Sequence, residues 1–133
     1  MPRNNGGRPM GFFKRTFGKL SQDEGERRAA TVRDWASALP GVTLISETQP
    51  RTIARVAGIV EGIRVRPREG LPAIEAVVTD GSGTVTAVWL GRRGLSGLQL
   101  GRRIVLEGRL AGDPRSLQIM NPRYEFAGTT QEG

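Results

Sequence analysis

The sequence predicts a mainly β protein, in which one α-helix precedes a small barrel of five strands. The chain has 133 residues, the length of one domain with one core. Apolar residues recur at helical spacing only before residue 40, and from residue 42 the period changes towards two. A long Gly-rich connector, rather than a hairpin turn, joins the third and fourth predicted strands. This organisation is typical of the OB-fold, a partly open Greek-key barrel, and a small SH3-like barrel is the competing interpretation.

An amphipathic helix is predicted over residues 21–40. Ser21 followed by Glu24 forms a capping box, which marks the start of a helix, and the Pro40-Gly41 pair ends it. Because Trp35 belongs to the apolar stripe of this helix, we expect it to be a packing residue. The residues of the stripe recur at i+3 and i+4 spacing and are Ala29, Val32, Trp35, Ala36 and Leu39.

The barrel is predicted over residues 42–126, and its first strand, at 51–66, is the longest. Gly58 and Gly62 interrupt that strand, and interior glycines are typical of the bulges and bends that curl a sheet into a barrel. The Asp80-Gly81 pair supplies the positive φ angle that a tight hairpin needs. The other elements are strands at 73–79, 84–90, 103–111 and 116–126, a loop at 67–72, a connector at 91–101 and a disordered tail at 127–133.

The charge balance favours a polyanionic partner. The formal net charge is +7, and every basic residue except Lys14 and Lys19 is arginine, a bias expected of a GC-rich genome. The chain contains neither Cys nor His, which excludes disulfides, zinc sites built on thiolate or imidazole, and Cys or His nucleophiles. Its acidic residues are scattered and suggest no catalytic site. We therefore expect a non-enzymatic protein with no metal and no cofactor.

The N-terminal segment, residues 1–20, is basic and contains most of the phenylalanines. Residues 1–9 are polar and Gly-rich, so we expect them to be disordered, and translation can start at Met1 or at Met10. Residues 10–20 form a short basic amphipathic segment, which either packs on its own domain or docks on a protein partner or a membrane surface. No stretch approaches 18 apolar residues, and the N-terminal segment is charged without an apolar core, so we expect neither a membrane span nor a signal peptide and expect a cytoplasmic protein. The docking candidates are Phe12, Phe13, Lys14, Arg15 and Phe17.

Four motifs follow one another along the barrel: Thr79-Asp80-Gly81-Ser82-Gly83, Val85-Thr86-Ala87-Val88-Trp89, Gly101-Arg102-Arg103 with Gly108, and Met120-Asn121-Pro122-Arg123-Tyr124-Glu125. Over roughly residues 51–126 they resemble the OB-fold wedge domain of RecG-type helicases. The whole chain resembles the small OB-fold nucleic-acid-binding proteins of actinobacteria, which carry a Val-Trp-Leu-Gly-Arg-Arg stretch like that at 88–93. The resemblance implies nucleic-acid binding, which in the helicase wedge takes place at a branch point. The chain has no Walker A motif, so it is not a helicase, and Leu90 stands where wedge domains carry an exposed aromatic residue.

Arginines gather at the places where an OB-fold binds ligands. Such folds bind on the second and third strands, between the loop joining strands one and two and the loop joining strands four and five. Arginines lead into the first of these loops and follow the third strand, so we expect five of them at one end of the barrel. Solvated basic surface is the competing interpretation. The candidate phosphate contacts are Arg64, Arg66, Arg68, Arg92 and Arg93, with Arg115 on the second loop.

Two aromatic residues are candidates for base stacking, which single-strand binding commonly uses. Trp89 alternates with Val85 and Ala87, a pattern that points it inward and makes it either a core residue or a stacking residue. Tyr124, near the end of the fifth strand, either stacks on a base or closes the barrel. Glu75 is predicted on the outer face of the second strand, where a carboxylate would oppose phosphate.

Two functional hypotheses follow. In the first, the protein is a non-enzymatic OB-fold that binds nucleic acid through arginine–phosphate contacts, with single-stranded or branched DNA favoured and RNA as the alternative ligand. In the second, the barrel is a protein-interaction module, docked to a partner or a membrane surface by residues 10–20. The weak aromatic surface, Glu75 and the Phe-rich N-terminal segment favour the second hypothesis.

Overall fold

A computed structural model describes the backbone of residues 9–127 and the side chains from Asp23 onward. Residues 1–8 and 128–133, and with them most of the predicted disordered termini, lie outside the described residues. The chain divides into two compact units, Met1–Thr31 and Val32–Gly133. No helix in the described part of the chain combines the length and the apolar character needed to cross a membrane.

The first unit contains most of helix α1 (Pro9–Ser37), which is longer than the helix predicted from Ser21. Residues 10–20 already have helical spacing, and no proline interrupts the chain between Pro9 and Pro40, so the helix continues through the capping-box signal. Proline is tolerated in the first turn of a helix, where its missing N–H would have no partner. Within this unit Arg28 pairs with Glu24 one turn earlier, at 3.8 Å on an exposed face.

The second unit is a closed barrel with OB-fold topology. Its strands are β1 (Ile53–Val65), β2 (Ala73–Thr79), β3 (Thr84–Leu90), β4 (Arg103–Asp113), β5 (Ser116–Met120) and β6 (Arg123–Phe126). The pairing order is β1-β2-β3-β5-β4, and β4 pairs back onto β1 to close the barrel. All of these pairs are antiparallel except β3 with β5. The predicted Greek-key barrel is therefore confirmed.

Strand β1 closes the barrel by bending in its middle. Its first half pairs with β4 and its second half with β2, and Ile59 is paired on both sides. Gly58 lies at the bend, where a side-chain Cβ would collide with the backbone carbonyl of Thr79. The register with β2 shifts between Val60 and Gly62, which marks a bulge. The two glycines thus have the bending role that the sequence predicts.

The fifth predicted strand, at 116–126, is two strands in the structure. Asn121 adopts a positive φ of 48°, and Pro122 has no N–H to donate, so the ladder breaks at this pair. The Asn121 N–H donates to the Val88 carbonyl at 2.6 Å, and its side-chain Oδ1 accepts from the Leu90 N–H at 3.0 Å. Strand β5 lies between β3 and β4, whereas β6 pairs with β4 alone.

The core fills the barrel, and residues from outside the strands close its ends. Ile45, from a 3-10 turn before β1, packs into the core beside the β2–β3 turn, and Leu95 of the connector is also a core residue. A second, smaller cluster lies outside the barrel. There Trp35 and Ala36, from the end of α1, pack with residues of β1 and β4. Trp35 is therefore a packing residue as predicted, and the Arg103 guanidinium lies 5.0 Å from its ring centroid.

Candidate nucleic-acid interface

The β1–β2 loop, residues 66–72, is a short, tightly bonded hairpin loop. The Arg66 N–H donates to the Ala73 carbonyl at 3.0 Å, and Arg68 and Leu71 exchange two backbone hydrogen bonds, at 2.8 and 2.9 Å. The turn between these two residues has positive φ angles at Glu69 and Gly70. The N–H of Gly91, just beyond β3, donates to the Pro72 carbonyl at 2.7 Å. The end of β3 is therefore fastened to this loop.

Glu75 lies on the outer face of the barrel, in a row that crosses four strands. It is paired in register with Arg64 of β1 and Val88 of β3, and Val88 in turn with Met120 of β5. Outer-face carboxylates are usually solvated, yet this residue is only 4% exposed. The structure thus places Glu75 on the predicted face, but as a buried group.

Three arginines cover the Glu75 carboxylate. The Nε atoms of Arg64 and Arg66 lie 3.9 and 3.7 Å from its Oε1, and the Nε of Arg68 lies 3.3 Å from its Oε2. Arg64 and Arg66 are about half exposed, whereas Arg68 is only 31% exposed. A buried carboxylate requires charge partners, and here the cations of the loop supply them.

The ion pairs with Glu75 leave the donors of Arg64 and Arg66 free for another acceptor. A guanidinium carries five N–H donors, and at 3.9 and 3.7 Å the two Nε atoms lie beyond hydrogen-bond distance of the carboxylate. Because Arg64 and Arg66 are half exposed, their donors are accessible from solvent. The carboxylate therefore attracts both side chains electrostatically while they keep the capacity to bind an anion.

Arg68 lies across the outer face of the barrel. Its Nε contacts Glu75 on β2, and its Nη1 lies 4.0 Å from the Sδ of Met120 on β5. Val88 of β3 stands between those two residues in the register and is completely buried. A ligand approaching the middle of this face therefore meets the Arg68 side chain.

Arg92 and Arg93 are exposed at the start of the connector. Arg93 shares a surface pocket of about 290 Å³ with Arg66 and with apolar residues of the β1–β2 loop. The pocket and the Gly91–Pro72 hydrogen bond place the start of the connector beside the loop, so the arginines after β3 lie at the same end of the barrel as Arg64, Arg66 and Arg68. We call these five residues the arginine cluster.

Arg115 lies at the opposite end. It is exposed in the turn between β4 and β5, where its N–H donates to the Asp113 carboxylate at 2.9 Å. Strand β5 runs parallel to β3 with Leu117 opposite Val85, so the start of β5 lies beside the start of β3. Arg115 is therefore separated from the arginine cluster by the length of β3.

Trp89 is a core residue, which corrects its assignment as a base-stacking candidate. It is 4% exposed, and its Nε1 donates to the Pro122 carbonyl at 3.1 Å. Tyr124 packs edge to face against Trp89 and Phe126, with ring centroids 5.5 and 5.8 Å apart. At 37% exposure Tyr124 keeps part of its surface in solvent, but its ring is engaged in closing the barrel.

Asp80, at the turn between β2 and β3, is explained by local structure. Its Oδ1 accepts hydrogen bonds from the Ser82 N–H, the Ser82 hydroxyl and the Gly83 N–H, between 2.7 and 3.1 Å. Its Oδ2 accepts from the Ile45 N–H at 2.9 Å, which ties the 3-10 turn to the hairpin. Within the part of the chain that the structure describes, no group of three acidic side chains is placed to hold a metal ion.

Sequence reasoning missed the link between Glu75 and the arginines. A signal for it exists, because Arg64, Arg66 and Arg68 alternate along the chain and Glu75 follows within the same hairpin, surrounded by apolar residues.

The side chains of the docking candidates Phe12, Phe13, Lys14, Arg15 and Phe17 lie outside the described residues. No protein-family model matches this chain, and no curated protein matches it significantly.

Proposed function

We propose that this protein binds nucleic acid without catalysis, with single-stranded or branched DNA as the favoured ligand and RNA as the alternative. The arginine cluster supplies the phosphate contacts. The observation that carries this proposal is the gathering of five arginines, from β1, the β1–β2 loop and the connector, at one end of an OB-fold barrel. Such a protein would work in the cytoplasm, where its ligand is accessible.

The cluster has an excess of positive charge. The β1–β2 hairpin carries three acidic residues, Glu61, Glu69 and Glu75, so the five guanidinium groups of the cluster outnumber the carboxylates near them. No described carboxylate forms an ion pair with Arg92 or Arg93. A guanidinium fork matches the geometry of a phosphate, and a local excess of such groups attracts a polyanion.

Binding of this kind depends on salt rather than on base sequence. Each phosphate neutralised on a single strand releases counterions and contributes about 0.7 to the slope of log K against log salt. Forked and single-stranded ligands expose flexible phosphates that can follow a curved basic surface. We therefore expect measurable binding at low salt, a steep loss of affinity as salt rises, and little preference among base sequences.

The test is fluorescence anisotropy with labelled single-stranded, duplex and forked DNA and single-stranded RNA, at two salt concentrations. The informative variant is the double substitution Arg92→Ala with Arg93→Ala, because both residues are exposed and their loss leaves no buried charge without a partner. If both contact phosphate, the salt slope falls by about 1.4. Arg64 and Arg66 are less suitable, since their removal would uncover Glu75.

The matched control is the double substitution Arg109→Ala with Arg123→Ala. It removes the same charge from exposed positions outside the cluster and should change the affinity and the slope far less. Equal effects of the two double variants would show that only net charge matters and would contradict the assignment of the cluster. An absence of binding to every ligand at low salt would overturn the proposal and favour the protein-interaction hypothesis.

A further inference from the structure

The pocket beside the arginine cluster combines an apolar lining with a cationic rim. Arg66 and Arg93 contribute to it from two different segments of the chain, the β1–β2 loop and the connector. Two of its apolar residues are unusually accessible, since Val65 is 55% and Leu71 49% exposed. The apolar lining is formed by Val65, Pro67, Leu71 and Pro72.

This lining is unusual for a site that would bind phosphates alone. A phosphodiester gains nothing from contact with leucine, valine and proline side chains, whereas a flat apolar ring gains from being removed from water. Arginine is suited to both parts of such a ligand, because its guanidinium plane stacks on a base and its donors bind phosphate. The pocket therefore matches a group that carries an apolar ring beside an anion.

We propose that this pocket binds one unpaired nucleobase, while Arg66 and Arg93 contact the phosphates on either side of it. The inference rests on the proposed nucleic-acid-binding function and adds a specific ligand group to it. The volume of about 290 Å³ is at the lower limit for ligand sites, which fits one ring system and its sugar rather than a longer stretch of nucleic acid.

An unpaired base is required because a paired base cannot reach the pocket. In a duplex the base faces are covered by neighbouring base pairs, and turning a base out of the stack has an energetic cost. Single strands and the unpaired arms of a fork present their base faces without that cost. The pocket thus gives a physical reason for a preference for single-stranded over fully duplex DNA.

The experiment compares two oligonucleotides with the same number of phosphates. One is oligothymidylate of roughly eight nucleotides, within the site size of single OB-folds, and the other is an abasic oligonucleotide of equal length. The wild-type protein should bind the thymidylate about tenfold more tightly, because removing one face of a base from water against the apolar lining contributes about 1.4 kcal/mol. The variant Leu71→Ala should reduce this advantage to about twofold and leave the affinity for the abasic strand unchanged.

Leu100→Ala is the matched control. Leu100 is also an exposed leucine, at 66%, but it does not line the pocket, so its removal should leave both affinities unchanged. Equal binding of the two strands by the wild-type protein would overturn the pocket inference and leave the phosphate-binding function standing. A loss of affinity for both strands in Leu71→Ala would also overturn it. Binding to neither strand would overturn the pocket inference as well, and it would contradict single-stranded DNA as the favoured ligand of the proposed function.

Discussion

Two carboxylates are buried in the described part of the barrel, and they are held in opposite ways. Asp80, completely buried at the β2–β3 turn, accepts hydrogen bonds from three backbone N–H groups and one hydroxyl. Glu75, 4% exposed near the other end of β2, is covered by arginine side chains. The donors to Asp80 are neutral, and three of the four are fixed by the backbone. The partners of Glu75 are charged and form ion pairs with it at 3.3 to 3.9 Å, and two of them, Arg64 and Arg66, are half exposed to solvent.

Under the proposed function, the difference separates a structural group from one that belongs to the binding site. Three of the four partners of Asp80 are backbone N–H groups, which cannot turn to another acceptor without unfolding the turn. The partners of Glu75 are long side chains with unused donors, so a phosphate can share them while the barrel stays intact. A buried acid with backbone partners therefore contributes to stability, whereas one with exposed cationic partners fits the proposed anion site.

Asp80→Ala should have the largest effect, on stability alone. The substitution leaves the buried N–H of Ile45 and the half-buried N–H groups of Ser82 and Gly83 without their acceptor, and we expect the free energy of unfolding to fall by about 3 kcal/mol. Denaturant unfolding monitored by tryptophan fluorescence measures this loss. The affinity of the folded protein for single-stranded DNA should not change.

Asp113→Ala is the control for this prediction. Asp113 is also a turn aspartate that accepts a backbone hydrogen bond, from Arg115 at 2.9 Å, but it is exposed. Water replaces that bond, so the loss should stay below about 1 kcal/mol. Comparable losses of unfolding free energy in Asp80→Ala and Asp113→Ala would mean that the contribution of Asp80 to stability does not depend on its burial.

Arg68→Ala should have an intermediate effect on stability. Arg68 makes the shortest contact with Glu75, at 3.3 Å, and is the least exposed of the three arginines. Its removal takes away the closest of three charge partners of a buried carboxylate, and we expect a loss of about 1–2 kcal/mol, measured by denaturant unfolding.

Arg55→Ala is the matched control for Arg68. Arg55 has a similar exposure, 35%, but its partner Glu107 is itself 39% exposed, so water can solvate the remaining carboxylate. The expected loss is below about 1 kcal/mol, the usual range for an accessible ion pair. A larger loss of unfolding free energy in Arg55→Ala than in Arg68→Ala would contradict the prediction. It would mean that burial of the carboxylate does not determine how much its arginine partner contributes to stability.

The fold was predictable to the extent that local signals determine it. Strands β2 and β3 have the predicted bounds, because two runs of β-branched and apolar residues meet at the Asp80 turn. The bend of β1 at Gly58 was predictable because interior glycines rarely have another role in a strand. The start of α1 was predicted wrongly, since a capping box indicates a helix start only when the preceding residues are not helical themselves.

The site was less predictable, because it depends on distances between segments. The sequence predicts that arginines gather beside the β1–β2 loop, but the burial of Glu75 follows from the cross-strand register that sets it opposite Arg64 and below Arg68. The pocket similarly requires Arg93 to meet a loop more than twenty residues away in the chain. For Trp89, by contrast, the alternation along β3 is enough to predict an inward side chain, and the structure places it in the core.

Glu75→Gln should have the smallest effect on stability. The direction of its effect on DNA affinity tests whether Glu75 differs in role from Asp80. The amide keeps an acceptor for the arginines, and the cations it no longer neutralises are accessible to water, so the free energy of unfolding should change by less than about 1 kcal/mol. Loss of the carboxylate removes a negative charge that competes with phosphate. We expect the affinity for single-stranded DNA to rise about threefold at low salt, measured by anisotropy, and the gain to shrink as salt screens it.

Glu107→Gln makes the same change of net charge at an acid that lies away from the arginine cluster, paired with Arg55. It should raise the affinity less than Glu75→Gln does, because the screened interaction decreases with distance. A weaker affinity in Glu75→Gln would mean that the carboxylate contributes more by orienting the arginine forks than it subtracts by competing with phosphate. Glu75 would then resemble Asp80, as a group whose main role is to fix its neighbours in place.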